Sequence, residues 1–283
     1  MSEQQHIALS IGIVCYYPAQ DELRKLMSSL LQSIRHLRNS FPLSVTQIFL
    51  VDNSEHPDWG LELFDESAVD QRELKVELRL SRGNGNVGFG RGHNLVINEL
   101  KSTYHLILNP DVTLDEDCVA EGINYLNLHP QTAIASPHAT GFDGKQQHLC
   151  KTFPALFTLL VRGFCPAPWQ KLFVKRLAKY ELQEMSKIEP GTGIPIVSGC
   201  FMLCRTELLQ QVQGFDENYF LYFEDFDLSL RIGKIADIVY LPSMRIVHVG
   251  GHAARKGIRH LLMFVKSAWY FYNTYGWRVF KQI

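Results

Sequence analysis

Short apolar runs and longer helical patterns alternate along the first 110 residues of the chain. Apolar or alternating residues predict strands at 7–14, 45–51, 74–80 and 104–108. Leucine, isoleucine and methionine recur at helical spacing from 23 to 37, with Asp21 as the candidate N-cap. Strands that alternate with helices are typical of a mainly parallel sheet that has helices on both faces and ligands at its strand ends. The predicted fold class is therefore α/β, with a Rossmann-like sheet.

The second half of the chain has the same two patterns in shorter pieces. Strands are predicted at 195–204, 238–242 and 245–249, and helices at 172–185 and 206–212. Because no repeat or low-complexity segment interrupts the chain, we predict a single domain over residues 1–283.

Three carboxylates lie close together at 224–227, with aromatic residues around them. Glu224, Asp225 and Asp227 fall in the first turn of a predicted helix, where acids are stabilised by unpaired amides and by the helix dipole. One acid is enough for that purpose, and three acids beside aromatic rings should raise the pKa of at least one of them. A general base is the natural use of such a carboxylate. A helix start and a catalytic base are both open interpretations here.

Five glycines lie between residues 83 and 92, ahead of a predicted helix that begins near Phe89. Glycines let the backbone approach a ligand closely, and the first amides of this helix would point at a phosphate. Arg91 is the candidate counter-charge for that phosphate. The alternative interpretation is a flexible turn.

The same glycines support a competing function. Gly83, Gly85 and Gly88 spell the dinucleotide-binding pattern G-x-G-x-x-G, and Asp111 lies at about the distance expected of a ribose-binding acid. This match is weak because it follows the third predicted strand rather than the first. A nicotinamide-dependent Rossmann oxidoreductase therefore stays open as an alternative.

Composition narrows the class of protein. The chain is 46% hydrophobic and 20% charged, as is ordinary for a globular domain. Its six cysteines form no C-x-x-C pair, which predicts reduced, buried thiols in a cytosolic protein. No secretory leader is recognisable, and no apolar run reaches the roughly 18 residues of a membrane span. With a formal net charge of −1, we expect no nucleic-acid partner.

The charge is nevertheless uneven along the chain. Asp237 is the last acid, and seven lysines or arginines follow it, interleaved with aromatic and aliphatic residues. Such a segment is suited to lying on an anionic membrane surface. The alternative is a C-terminal helix packed on the domain or on a dimer partner, since aromatic residues occur on every side of the segment.

Five motifs occur in order along the chain. They are VDNS at 51–54, NVGFGRGHN at 86–94, NPD at 109–111, SGCFML at 198–203, and GFDE at 214–217 with EDFDL at 224–228. Together they resemble family 2 glycosyltransferases, above all bacterial rhamnosyltransferases of O-antigen and cell-wall assembly. The resemblance implies a GT-A fold with a nucleotide-sugar-binding half (1–137), an acceptor-binding half (138–252) and a basic, aromatic helical tail (253–283).

The resemblance also assigns a nucleotide-sugar donor to one set of residues. These residues are Asp52, Asn53, Asn86, Gly88, Phe89, Arg91, Asn109 and Asp111. Among them, Asp52 would hydrogen-bond the pyrimidine base, and Asn86, Gly88 and Arg91 would lie along the nucleotide and its diphosphate.

A divalent metal, Mg²⁺ or Mn²⁺, is the cofactor that the resemblance implies. Asp111 occupies the last position of the D-x-D element that holds this metal against the diphosphate, and Asn109 replaces the first acid of the element. One carboxylate is a poor metal site by itself. If His248 lies near Asp111 in space, its imidazole is the candidate second ligand.

Asp225 matches the base that deprotonates the acceptor hydroxyl, and Glu224, Asp227 and Gly199 would support it. One carboxylate on the acceptor side and positive charge on the donor side suit an inverting transfer. The implied donor is dTDP-L-rhamnose, and the acceptor is a glycan carried on a polyprenyl diphosphate. We expect the protein in the cytoplasm, either free or peripheral on the inner face of the cell membrane. A non-catalytic nucleotide-sugar-binding protein is a third class that these motifs allow.

Overall fold

The computed structural model describes residues 8–57, 59, 72–250 and 257–280. Its strands are β1 (Leu9–Cys15), β2 (Thr46–Asp52), β3 (Val76–Ser81), β4 (Tyr104–Leu108), β5 (Val112–Leu114), β6 (Thr132–Thr140), β7 (Gln146–Gln147), β8 (Cys150–Lys151), β9 (Ile196–Val197), β10 (Phe201–Arg205) and β11 (Asp237–His248). Its helices are α1 (Gln20–Ser40), α2 (Phe89–Ile97), α3 (Cys118–Leu128), α4 (Leu156–Phe164), α5 (Ala167–Gln170), α6 (Val174–Tyr180), α7 (Thr206–Gln211), α8 (Glu224–Ile232) and α9 (Gly257–Tyr275). A 3₁₀ turn, Lys171–Phe173, joins α5 to α6.

One mixed, mainly parallel sheet organises the molecule. Its strand order is β3-β2-β1-β4-β10-β6-β11-β5, and β7 pairs with β6 beside this path. The strands β3, β2, β1 and β4 are parallel, as are β6 and β11, whereas β10 and β5 run antiparallel to their neighbours. The predicted α/β class is confirmed. Every residue of β1 and β4 is buried, as expected of a sheet that is covered on both faces.

Helix α1 covers one face through a stripe of apolar residues at helical spacing. Leu23, Leu26, Leu30, Ile34 and Leu37 are fully buried, and α1 packs against α3 and β5. Burying each such side chain stabilises the fold by about 1.5–3 kcal/mol. The helix begins at Gln20 and has no side-chain cap, so the predicted N-cap residue lies within its first turn instead.

Three element predictions in the second half are wrong. The strand predicted at 195–204 is two strands in different sheets, β9 and β10. The helix predicted at 172–185 is shorter, because Leu182 has a left-handed backbone (φ 48°) that a helix cannot contain. The two strands predicted at 238–242 and 245–249 form one strand, β11. Its register shifts between Leu241 and Arg245, and this irregularity accommodates Pro242, which has no amide to donate.

Helix α9 packs one face on the segment that leads into α8. Phe271, Tyr272 and Ala268 join a cluster with Phe153 and Phe223. All six cysteines are free, as predicted, and five of them are buried. Within the described ranges, no helix combines the length and apolar character that crossing a bilayer requires.

Candidate functional site

Asp52 ends β2 with a fully buried carboxylate. Its Oδ2 atom accepts a hydrogen bond from Arg82 Nε at 3.0 Å, and its Oδ1 atom accepts one from the amide of Ser54 at 3.0 Å. The Arg82 guanidinium in turn lies 4.5 Å from the ring centre of Trp59. Sequence reasoning missed Arg82. The available signal was register, because Val51 pairs with Ser81 and the next residues are Asp52 and Arg82.

Asn53 and Gly88 connect the end of β2 to the start of α2. Asn53 Nδ2 donates to the carbonyl of Gly88 at 3.0 Å, and Asn86 Oδ1 accepts from the Gly88 amide at 3.2 Å. The Phe89 amide, expected at a phosphate, instead donates to the carbonyl of Phe220 at 3.2 Å. The glycine-rich turn is therefore an ordered junction between α2 and the segment before α8, rather than a flexible turn.

Arg91 lies on α2 and pairs with Glu217, with Nε and Oε2 2.8 Å apart. Both side chains are about half exposed, so the pair adds little stability and leaves the guanidinium free to change partners. The rest of the GFDE motif fastens the same helix, since Asn94 exchanges hydrogen bonds of 2.8 and 2.9 Å with the backbone of Phe215. This motif has a structural role in the fold.

Asp111 and His248 face each other at the ends of β5 and β11. His248 Nε2 lies 3.5 Å from Asp111 Oδ1, and both side chains are mostly buried. Gln147 fixes the imidazole: its Nε2 donates to the carbonyl of His248 at 2.8 Å, so its Oε1 accepts from His248 Nδ1 at 2.8 Å. In the neutral imidazole this arrangement turns the lone pair of Nε2 toward Asp111.

The Asp111–His248 pair suits a divalent cation. Burial would raise the pKa of Asp111, but the adjacent His248 imidazole, in its protonated form, and backbone amides lower it overall. Asp111 Oδ1 is buried and has no hydrogen-bond partner. An ionised oxygen and an imidazole lone pair aimed at the same point are donors that Mg²⁺ or Mn²⁺ accepts. No third histidine, cysteine or acid completes a cluster within the described part of the chain.

Asp225 lies in the first turn of α8, and two residues with strained backbones lie immediately before this helix. Tyr222 and Phe223 both have left-handed backbones, with φ of 72° and 67°, a strain that proteins concentrate at functional sites. The carboxylate of Asp225 accepts from the amide of Gly199 at 3.0 Å and from the amide of Phe226 at 3.0 Å. Burial raises its pKa, against the lowering effect of these amides and of the Lys151 charge.

The two acids beside Asp225 differ from each other. Glu224 is 5% exposed, and its Oε2 atom has no hydrogen-bond partner. Burial, followed by the Asp225 charge, raises the pKa of Glu224 to about 8. Asp227 instead binds Arg231 at 2.7 Å and the Tyr275 hydroxyl at 2.6 Å, which fastens α9 to α8. Asp227 is thus engaged in holding the fold.

The three predicted carboxylates Asp52, Asp111 and Asp225 lie along one edge of the sheet. The Gly199 amide holds Asp225, and the next carbonyl, of Cys200, accepts from the Asn109 amide at 2.9 Å. Burial raises the pKa of the Cys200 thiol, the hydrogen bond with Ser198 opposes this change, and the charges of Asp111 and Asp225 add to it. The backbone of Gly199 and Cys200 links Asp225 to the segment that carries Asp111.

Asp52 joins the same edge through neighbouring contacts. Its strand pairs with β1, and the Asn53 amide donates to the Cys15 carbonyl at 2.8 Å. The Phe89 ring reaches Gly199, where an added Cβ atom would lie 3.0 Å from it. The ends of strands β2, β1 and β4 and the starts of α2 and α8 are thus connected by contacts between neighbours.

Comparison with known families gives one match that covers most of the chain. The model described as Glycosyl transferase family 2 matches residues 10–213.

Two curated relatives have rhamnosyltransferase names. The chain is 26% identical over 213 residues to an N-acetylglucosaminyl-diphospho-decaprenol L-rhamnosyltransferase of Mycobacterium tuberculosis, covering 69% of this chain and 66% of the relative. It is 27% identical over 210 residues to the rhamnosyltransferase WbbL of Escherichia coli, covering 70% and 73%. The match therefore spans just under two thirds of the mycobacterial relative.

Among solved structures, the fold is similar to GalNAc-T7 with UDP, GalNAc and Mn²⁺. The TM-score is 0.59 at 15% sequence identity, covering 87% of this chain and 44% of that one. At this identity the likeness concerns the fold, which is of the GT-A type predicted from the motifs.

Proposed function

The chain belongs to glycosyl transferase family 2, and from this premise we propose that it moves a sugar from a nucleotide-sugar donor to a hydroxyl group of an acceptor. The observation that carries the proposal is the arrangement around Gly199 and Cys200. A carboxylate suited to take a proton, Asp225, is held by the Gly199 amide, and the Cys200 carbonyl binds the amide of Asn109, two residues before the candidate metal ligand Asp111. A sugar transferase needs these two chemistries within one cleft.

The proposed donor is dTDP-L-rhamnose, and the proposed acceptor is a glycan on a polyprenyl diphosphate. The names of the two curated relatives support L-rhamnose, and the name of the mycobacterial relative supports a lipid-linked acceptor. On the donor side, Asp52 and Asn53 would bind the base, and Arg91 would exchange Glu217 for the diphosphate. The exposed Arg91–Glu217 pair is weak enough to permit that exchange.

Asp225 is the proposed general base. Its carboxylate would take the proton of the acceptor hydroxyl as that oxygen bonds to the anomeric carbon and the bond to the nucleoside diphosphate breaks. The proposal includes inversion of the anomeric configuration: with one carboxylate on the acceptor side and positive charge on the donor side, attack would come from the face opposite the leaving group. The amides of Gly199 and Phe226 hold the carboxylate in place.

Asp111 and His248 are the residues that would hold Mg²⁺ or Mn²⁺. The bound ion would neutralise charge that develops on the departing diphosphate. Gln147 would keep the imidazole in the tautomer that binds metal.

The Asp225→Asn variant tests the proposed reaction. We expect transfer from dTDP-L-rhamnose to a lipid-linked acceptor to fall at least about 100-fold, because the amide cannot take the proton. Donor affinity, measured by calorimetry, should stay unchanged. The matched control is Asp143→Asn, whose exposed carboxylate pairs with Lys145 in the turn before β7. Comparable transfer by Asp225→Asn would remove the assignment of the base.

A ligand screen separates the other two classes. Thermal shifts with dTDP, UDP, GDP and NAD, each with and without Mg²⁺, should favour dTDP if the proposal is correct. Stabilisation by NAD alone would support the oxidoreductase. A protein that binds dTDP-L-rhamnose but turns over no donor with any acceptor would be the non-catalytic binding protein.

We also propose that α9 lies on an anionic membrane surface, where a lipid-linked acceptor is found. One side of the helix exposes an apolar stripe: Ile258, Leu261, Leu262, Val265 and Trp269. Arg259 and Lys266 flank this stripe and line a cavity of about 310 Å³ beside Phe220. No acid follows Asp237 to oppose an anionic lipid. Arg255 and Lys256, predicted to take part, lie outside the described residues.

Liposome flotation tests the membrane contact. Vesicles with anionic lipid should carry the protein upward, and neutral vesicles should carry less of it, because the helix combines apolar and cationic surface. Neutralising Arg259 and Lys266 should reduce flotation, whereas neutralising the exposed pair Lys145 and Lys175 should not. Flotation that is unchanged when Arg259 and Lys266 are neutral would favour packing against a protein partner.

A further inference from the structure

Lys151 is a buried cation to which the transfer chemistry described above gives no role. Lys151 lies at the end of β8 and is 8% exposed. The ammonium donates one hydrogen bond, to the carbonyl of His148 at 2.7 Å, and lies 5.7 Å from the ring centre of Tyr180. In the part of the chain described, it forms no ion pair. Because lysine is rarely buried without a partner, this position calls for an explanation.

The strand beside Lys151 is tied directly to Asp225. Lys151 pairs with Ile196 in the β8–β9 ladder. The Val197 amide donates to Ser229 Oγ at 3.2 Å, and the same hydroxyl donates to the carbonyl of Asp225 at 2.7 Å. Two residues further on, the Gly199 amide holds the Asp225 carboxylate at 3.0 Å. The backbone that positions Lys151 therefore also positions Asp225.

The two charges act on each other in both directions. Burial and, second to it, the Arg162 charge lower the pKa of Lys151 to about 8, and Asp225 is among the groups that oppose this change. Burial raises the pKa of Asp225, and Lys151 is the cation that opposes that change. The other titratable groups that act on this pair are Glu181 and Cys150 near Lys151, and Glu224, Tyr180 and Cys200 near Asp225.

We propose that Lys151 is a positioning residue whose buried ammonium keeps the Asp225 carboxylate ionised, in the form that takes a proton from the acceptor hydroxyl. The inference rests on the proposed function, because it assumes that Asp225 is the base. Burial explains why a cation is needed at this point. A buried carboxyl group without a nearby positive charge keeps its proton to higher pH, and a protonated Asp225 could accept none.

Titration of Asp225 in the Lys151→Met variant tests the inference without any substrate. Methionine is similar in length and apolar, so the buried position stays filled and the variant is expected to fold. With ¹³C-labelled aspartate carboxyl groups, NMR follows the titration, and the signal missing from Asp225→Asn identifies residue 225. We expect its pKa to rise by about one unit in Lys151→Met. Lys151→Arg should keep it near the wild-type value.

The exposed lysine of the 141–145 turn gives the matched control. The Lys145 side chain is 84% exposed, and Lys145→Met should leave the titration of Asp225 unchanged. An unchanged Asp225 pKa in Lys151→Met would overturn the inference. Because this measurement needs no transfer, it decides the role of Lys151 even if dTDP-L-rhamnose proves not to be the donor.

The pH profile of transfer gives a second, independent measurement. Because a pKa rise of one unit lowers the ionised fraction by at most tenfold, Lys151→Met should lose up to about tenfold in kcat/KM at the acidic end of the profile. The loss should disappear at the pH where Asp225 is ionised in either protein. A loss of equal size at every pH, expressed as a higher KM for the acceptor, would mean that Lys151 binds substrate, and would overturn the inference.

Discussion

The side chains of the site are neutralised or oriented by partners that lie far away in the sequence. Arg82 balances Asp52, and Gln147 fixes the tautomer of His248. Gly199 orients Asp225 through its backbone amide. Each of these partners holds one side chain of the site, so its loss should change a measurable property of that side chain.

The Arg82→Leu variant should be markedly less stable than the wild type. It leaves the fully buried Asp52 carboxylate without its cation, which costs about 3 kcal/mol of unfolding free energy. Urea unfolding at pH 7 measures the change. The matched control on the same strand is Arg79→Leu, whose ion pair with Glu77 is exposed and which should change stability little. Equal losses in both variants would mean that the Asp52 charge is not the cause.

The Gln147→Leu variant should bind metal more weakly. Without the Gln147 amide, the imidazole of His248 is no longer held with Nε2 toward Asp111. We expect the affinity for Mn²⁺, measured by electron paramagnetic resonance in the presence of dTDP, to fall about tenfold or more. Gln146→Leu, one residue away on β7, serves as the control. If both variants bind Mn²⁺ like the wild type, the ion does not lie at His248.

At the scale of elements, the junction between α2 and the segment before α8 joins the glycine-rich turn to the segment that leads to Asp225. Gly88 has φ of 91°, and the carbonyl of Phe220 accepts from the amide of Phe89. A Cβ atom on residue 88 would lie 2.3 Å from that carbonyl oxygen. Only glycine satisfies both the backbone angle and the close approach.

The Gly88→Ala variant tests this junction. It combines left-handed strain with a backbone clash, and should lower the unfolding free energy by about 3 kcal/mol. The control is Gly85→Ala, which has φ of 64° but no atom within 4 Å of the added Cβ. Strain alone should cost that variant about 1 kcal/mol in the same denaturant titration. Similar losses in the two variants would show that the contact with Phe220 contributes nothing.

Sequence patterns predict an element of this fold well when its own residues show the apolar spacing of a helix or a strand. The periodic residues of α1 and the apolar runs of β1, β2 and β4 predict their elements because burial follows local spacing. The helix predicted at 172–185 was too long because a single residue with a left-handed backbone, Leu182, prevents the helix from continuing. Arg82, Gln147 and Lys151 were not predicted as site residues because their partners depend on strand register, which local spacing does not contain.

At the scale of the whole molecule, the fold buries two adjacent carboxyl groups, those of Glu224 and Asp225, and this burial lowers its stability. Glu224 has no hydrogen bond at Oε2, and its pKa is raised to about 8 by burial and by Asp225. A fold selected for stability alone would have no reason to keep an acid there. Such local conflicts are expected where function requires a particular chemical group.

This conflict predicts how stability depends on pH. Between the ordinary Glu pKa of 4.5 and about 8, folded Glu224 holds a proton that the unfolded chain releases, so stability falls as pH rises through this range. Glu224→Gln keeps the shape of the protonated acid without the ionisation. We expect the variant to match the wild type near pH 4.5 and to exceed it by about 3 kcal/mol at pH 8.5. Urea unfolding at several pH values measures the difference, with the exposed Glu189→Gln as the control. A difference that does not grow with pH would mean that Glu224 is ionised in the folded protein, and that Asp225 has a charged neighbour rather than a protonated one.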